Sequence, residues 1–301
     1  MDLAADYVEL RCRSAFSFLE GGSLPEELVE RALELGYPAL GLADRNGVYG
    51  IPRFWKAARE TPLRSLVGAD VEFEQGRLLL LVASPGGYRR LCRLLTLGHS
   101  RSPLKGEFQL SLSDLEGQTA GLLCLAGGAF SPITEALRHG RKEQARQHTG
   151  MLQRLFGSRL WIDIQRSRNL RVERRSRALQ DLADALGVPV VASGDVVFAS
   201  SQHRSLVDLF ASIRLGRPLA GLGRDALPNA EQCLTPPREM ARRFRDLPDA
   251  IGQSRRIAEQ LEFSMADLGY RFPECAVPPG SSPLQYLREL TLEGALSHIH
   301  I

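Results

Sequence analysis

Asp44, Asp70 and Asp195 each end a short apolar run, in G-L-A-D, V-G-A-D and A-S-G-D. A carboxylate in that position can hold a divalent cation, move a proton or pair with a cation. Taken singly, each can equally cap the next helix or form a turn. Three together point to a shared polar mouth. Arginines accompany them: Arg11 and Arg13 in L-R-C-R-S, and Arg45 directly after Asp44. A hydrolytic zinc or manganese centre also wants imidazole nitrogens beside its carboxylates. The six histidines are His99, His139, His148, His203, His298 and His300, and none stands beside those aspartates. His298 and His300 form an H-x-H, but near the last residue and without a strand or carboxylate around them. Phosphate loops of the G-x-x-x-x-G-K-[ST] and G-x-G-x-x-G types and the G-x-S-x-G nucleophile elbow are absent, so those routes to phosphate or acyl chemistry are closed.

Elements that would carry these residues follow from periodicity. Apolar runs at 8–12, 39–44, 65–70, 78–83, 121–125, 160–164 and 189–192 read as buried strands. Helical spacing is found between most of them, at 25–35, 51–59, 88–97, 141–156 and 173–186. Ser23 and Glu26 stand in capping-box spacing before the first of these helices, and Gly36 closes it. This alternation predicts an α/β chain of mostly parallel strands, buried on both faces and closed or nearly closed into a barrel. Reactive groups of such a barrel gather at the C-terminal strand ends. That rule nominates 10–14, Asp44 and Arg45, Asp70, Gly127 and Gly128, and 194–197. Beyond Ser200 the pattern turns helical, at 205–215, 237–244 and 249–261, and 272–283 is a proline-rich connector. Residues 297–301 read as a stub and carry no motif weight.

With 301 residues, 44% apolar and 24% charged, the chain has material for a large core. Its net charge of +3 rests on 35 Arg against 3 Lys (Lys56, Lys105, Lys142), so the positive groups are forked guanidiniums suited to phosphate or carboxylate. The five cysteines (Cys12, Cys92, Cys124, Cys233, Cys275) form no C-x-x-C pair, which fits a reducing, cytoplasmic setting. Cys12 and Cys124 read as small buried hydrophobes. No apolar run approaches the roughly 18 residues of a membrane span, so no membrane partner is expected. Arg166, Arg168, Arg171, Arg174, Arg175 and Arg177 could track a nucleic-acid backbone. Their stretch holds no aromatic residue for stacking bases, and it reads as a solvated helix start.

The segments V-E-L-R-C-R-S-A-F-S-F-L-E-G (8–21), E-L-V-E-R-A-L-E-L-G-Y-P-A-L-G-L-A-D-R-N (27–46) and V-G-A-D (67–70) resemble a polymerase and histidinol phosphatase (PHP) domain. In order, A-S-P-G-G-Y-R-R-L-C-R-L-L-T (83–96), G-L-L-C-L-A-G-G (121–128) and V-P-V-V-A-S-G-D-V-V-F (188–198) extend the likeness. The whole resembles the N-terminal PHP domain of bacterial C-family DNA polymerase alpha subunits. Residues 263–295 are similar to the junction into the polymerase part of the error-prone, damage-inducible branch. The resemblance implies a distorted seven-stranded (β/α) barrel with a helical C-terminal extension, a PHP domain over 1–270, and a connector at 271–301 into a polymerase palm.

Departures from that family pattern decide the chemistry. An active PHP domain opens with H-x-H; here those places hold Arg11 and Arg13. Its Asp-His pair is Asp44 and Arg45, its third-strand glutamate is Asp70, its cysteine is Gly128, and its last Asp-x-His is Asp195 with Val197. A guanidinium has no lone pair for a metal and stays charged. One such charge about 4 Å from a divalent cation opposes binding by about 8 kcal/mol at an effective dielectric of about 20. The expectation is a degenerate, metal-free pocket without a catalytic residue, in which Arg11 or Arg13 pairs with Asp44 and Asp195. The implied role is a non-catalytic scaffold and docking module of an error-prone DNA polymerase in translesion synthesis. Its partners would be the rest of the polymerase chain, DNA through the parent enzyme, accessory mutagenesis proteins and a sliding clamp. Magnesium belongs only to the palm, and no palm-type run of alternating aspartates occurs in these 301 residues. The opposed reading is a metal-dependent phosphoesterase or proofreading nuclease, which the missing histidines disfavour.

Overall fold

The computed structural model describes residues 7–102, 104, 106–269 and 276–298. The chain divides into two compact units, 1–267 and 268–301. The boundary expected at 270/271, Cys275, and the side chains of His298 and His300 lie outside the described residues.

Seven strands in sequence order make one sheet. They are β1 (Glu9–Cys12), β2 (Ala39–Arg45), β3 (Arg64–Phe73), β4 (Gly76–Val82), β5 (Leu122–Leu125), β6 (Leu160–Gln165) and β7 (Val190–Ser193). Pairings β1–β2, β2–β3, β5–β6 and β6–β7 are parallel. β4 breaks the parallel pattern, running antiparallel to both neighbours. Only Glu74 and Gln75 separate β3 from β4, and two residues make a hairpin but cannot cross over to a parallel strand. The sheet nearly closes. Arg13 donates its N–H to the Val196 carbonyl at 2.9 Å, and Val196 returns one to Arg11 at 2.9 Å, joining β1 to the segment after β7.

Helices α1 (Pro25–Glu34), α2 (Ile51–Ala58), α3 (Pro85–Ser100), α4 (Pro132–Arg138), α5 (Lys142–Phe156) and α6 (Leu170–Leu186) lie between strands. After β7 come α7 (Arg204–Leu215), α8 (Pro237–Arg243) and α9 (Pro248–Gln260). In the second unit α10 spans Pro283–His298. α4 is a further helix, of seven residues, that the sequence reading did not place. The cap of α1 also differs from the expected one. Leu24 is the N-cap, and its N–H is taken by the Glu27 carboxylate at 2.7 Å. Ser23 instead accepts the Ala199 N–H at 3.0 Å, tying α1 to the chain after β7.

β1, β5 and β6 are buried at every residue. Their apolar positions Leu10, Leu123, Leu125 and Trp161 share one cluster with Ile257 and Leu261 from the α9 end of the chain. Cys12 and Cys124 are buried and reduced. Trp55 is only half-buried, with the Arg59 guanidinium 5.6 Å from its ring, whereas Trp161 is buried as expected. Among the described residues no helix is long and apolar enough to cross a membrane.

Candidate functional site: a guanidinium-filled barrel mouth

The register of β1 shifts between Glu9 and Cys12, and Glu9, Arg11 and, just past the strand, Arg13 are all buried. A buried charge must find partners. Arg11 has two. Its Nη1 donates to Asp70 Oδ1 at 3.0 Å, and its Nε donates to Asp163 Oδ2 at 2.9 Å. Burial alone would pull the Arg11 guanidinium down, but Asp163 and Asp70 carry it above the usual range. Arg13 Nη2 donates to Asp195 Oδ1 at 2.7 Å, and its Nη1 lies 3.8 Å from Asp70 and 3.4 Å from Glu20. Asp195 is held in the left-handed region, φ 52°, which Asp tolerates better than most residues. Its second oxygen accepts from Gln232 Nε2 at 2.9 Å.

Outside this pair lies a second focus. The Glu20 carboxylate accepts two bonds from Arg77, both 3.0 Å, and one from Arg45 at 2.9 Å, with Arg214 3.6 Å away. Burial raises the Glu20 carboxyl, but Arg13 and Arg77 outweigh it and hold the group down at about 2. Glu9 behaves oppositely. Burial pushes it up to about 7, against hydrogen bonds from Tyr7, Arg11 and Gly194.

The expected pairing of arginine with Asp195 is present, through Arg13. That with Asp44 is not. Asp44 accepts the Ser14 N–H at 2.7 Å and the hydroxyls of Ser14 and Ser17 at 2.9 and 2.8 Å. Those short donors lie in the turn after β1 and saturate the carboxylate. Arg45 points instead to Glu72 and Glu20, at 2.6 and 2.9 Å, and is one-third exposed. Val197 is buried among Phe198 and Val207, outside the ion-pair network. Phe16 packs under Arg53, 5.8 Å from the ring centre, while Phe18 is exposed. Sequence reasoning missed Asp163, Glu20, Arg77 and Glu9. A lone carboxylate inside the apolar run L-W-I-D-I-Q was the available signal for Asp163, because a doubly buried strand tolerates a charge only with a partner.

Gly128 leaves the space that Arg11 fills. A Cβ at Gly128 would sit 3.1 Å from the Arg11 guanidinium carbon, so the cation occupies the space a side chain there would need. Gly128→Cys is expected to displace Arg11 from Asp70 and Asp163 and to cost about 1–3 kcal/mol, the usual penalty of overpacking. The urea midpoint of that variant checks it; an unchanged midpoint contradicts the packing.

These donors do not fit a divalent cation. Asp70, Asp163 and Asp195 each direct an oxygen at a guanidinium, and Asp163 also accepts the Gly127 N–H. Among the described residues no three His, Cys, Asp or Glu side chains are arranged to hold a metal. Asp70, Asp163 and Asp195 are thus neutralised by arginine, while Asp44 is held by serine donors.

Residues 9–167 match the family model described as PHP domain. The chain belongs to the PHP domain family. It is 36% identical over 294 residues to an error-prone DNA polymerase of Pseudomonas savastanoi pv. phaseolicola, covering 97% of this chain and 27% of that protein. An error-prone DNA polymerase of Rhodopirellula baltica is 33% identical over 296 residues, covering 97% and 26%. The chain thus spans about a quarter of the length of these curated relatives. Among solved structures, an amidohydrolase from Chromobacterium violaceum matches with TM-score 0.46 and 16% identity, over 64% of this chain and 88% of that one.

Proposed function

We propose that this chain is a non-catalytic, metal-free PHP domain that serves an error-prone DNA polymerase as a structural and docking module. The observation that carries this is the double pairing of Arg11 with Asp70 and Asp163 inside the barrel. It places a permanent positive charge against the carboxylates on which hydrolysis by this fold would rely. The parent enzyme extends primers across damaged template, with magnesium held by a palm outside these 301 residues. The partners of the domain are then the remaining polymerase chain and, through it, DNA, with accessory mutagenesis proteins and a sliding clamp as further candidates. Its setting is the cytoplasm. The names of the relatives support the polymerase assignment.

The test is elemental analysis after incubation with zinc or manganese and desalting, paired with hydrolysis of a generic phosphodiester. Neither stoichiometric metal nor hydrolysis above the blank is expected. One tightly held equivalent together with hydrolysis that a chelator abolishes would replace this reading with the phosphoesterase one.

A further inference from the structure

In sequence, the arginine run at the start of α6 has no aromatic residue beside it. The fold supplies one. Phe130, in the loop after β5, lines a groove of about 550 Å³ together with Leu137 and Arg138 of α4 and Arg171, Val172 and Arg174 of α6. β5 and β6 are parallel neighbours, so the segments leaving their C-terminal ends emerge side by side, next to the barrel mouth.

Phe130 is 56% exposed, yet it is held in place. Its carbonyl accepts the Arg77 N–H at 2.7 Å, and the Arg77 guanidinium lies 4.8 Å from its ring centre. Much of the ring faces solvent beside the groove. It is a stacking surface already ordered before anything binds.

The cations around it are equally unexplained by stability. Arg171 and Arg174 are exposed and have no ion-pair partner among the described residues, whereas Arg138 is paired with Glu135 at 2.6 Å. Arg171 belongs to the first turn of α6, where the helix dipole disfavours a basic residue, and Arg174 follows in the second. The first turn of α6 holds one acid, Glu173, against Glu26 and Glu27 in that of α1.

An apolar floor with an open aromatic ring beside phosphate-competent guanidiniums matches a flexible polyanion that carries flat, stackable groups. The geometry points to single-stranded nucleic acid as the occupant of this groove, with a base stacked on Phe130 and neighbouring phosphates on Arg171 and Arg174. An acidic peptide would use the cations and leave the ring without a role. A duplex would use the cations too, but its bases are already stacked. The groove adjoins the arginine–carboxylate centre through Arg77, but an oligonucleotide-binding readout does not depend on the metal assay above.

The test is fluorescence anisotropy of a short labelled oligothymidylate with the 301-residue chain at several salt concentrations. Binding should weaken about tenfold in Phe130→Ala and persist in Phe130→Tyr, as base stacking on an aromatic ring predicts. Arg171→Ala with Arg174→Ala should weaken binding and reduce the salt slope by about 1.4, the loss of two single-strand phosphate contacts. Melting curves should show all these variants folded, since each side chain changed is exposed. The proposal is overturned if Phe130→Ala binds as tightly as the parent, or if a duplex of equal length binds as well. It is also overturned if polyglutamate binds this groove in preference to the oligonucleotide, which would assign the surface to an acidic protein.

Discussion

Arg11→Ala should lower the melting temperature by about 10 °C at neutral pH, the largest effect expected of any single substitution in the barrel mouth. The variant leaves Asp70 and Asp163 facing each other across the space the guanidinium filled, with side chains 3% and 0% exposed. Breaking a buried ion pair by removing one member costs about 3–5 kcal/mol, because the remaining charge is neither hydrated nor compensated. At about 2–4 °C per kcal/mol for a large domain, this gives the expected shift. Removing the carboxylates as well should recover part of the loss. Arg11→Met combined with Asp70→Asn and Asp163→Asn is expected to be more stable than Arg11→Ala alone, since whole buried ion pairs are often replaceable at little net cost. Thermal melting of the single and combined variants separates the outcomes. Equal melting temperatures for Arg11→Ala and the parent would show that the pairs do not carry the mouth.

Glu20→Gln gives the second large effect, and its signature is pH dependence. The Glu20 carboxyl is depressed from 4.5 to about 2 in the folded chain, burial opposing and the Arg13 and Arg77 guanidiniums prevailing. At 1.36 kcal/mol per unit this is worth about 3 kcal/mol of folding stability to order of magnitude. A depressed carboxyl contributes fully above its unfolded value and loses that contribution as the pH falls through the folded one. The parent should therefore lose about 3 kcal/mol from this group between about pH 4.5 and pH 2. Glu20→Gln lacks the contribution throughout, so it should be less stable at pH 7 and show a shallower decline below pH 4.5. Urea midpoints at pH 7, 4 and 3 measure both. Parallel declines for parent and variant would remove Glu20 from the set of stabilising groups.

Both effects arise because arginine performs here a task for which imidazole is unsuited. Several carboxylates converging at the strand ends repel one another unless a cation stands between them. A bound metal is one such cation, and a guanidinium is another, with donors fixed in a plane and a charge no physiological pH removes. Gly128 leaves the Arg11 guanidinium the room beside its Cα. A guanidinium, unlike a metal, has no open coordination position at which to polarise a phosphate or bind water.

Much of the barrel was legible in the chain itself. Short apolar runs alternating with helical spacing dictate strands and helices because burial on both faces and burial on one stripe leave different periods in the sequence. Those runs put Asp44 near the end of β2 and Asp195 just after β7, whereas the expected strand end at Asp70 falls inside β3, which runs on to Phe73 into the β3–β4 hairpin. The absence of histidine beside them followed from residue identity alone.

Partner choice was decided only by the fold. Arg11 meets Asp163 across 152 residues of sequence and Asp70 across 59, while Arg13 meets Asp195 across 182. No local pattern distinguishes those partners from Asp44, which finds serine donors nearby instead. Glu20 likewise gathers Arg45 and Arg77 from β2 and β4, and Phe130 reaches the arginines of α6 only because β5 and β6 lie side by side. Periodicity records which face of an element is buried, and the chain carries that record residue by residue. Which charges meet depends on how the ends of different strands converge in space, and that is fixed only when the sheet closes.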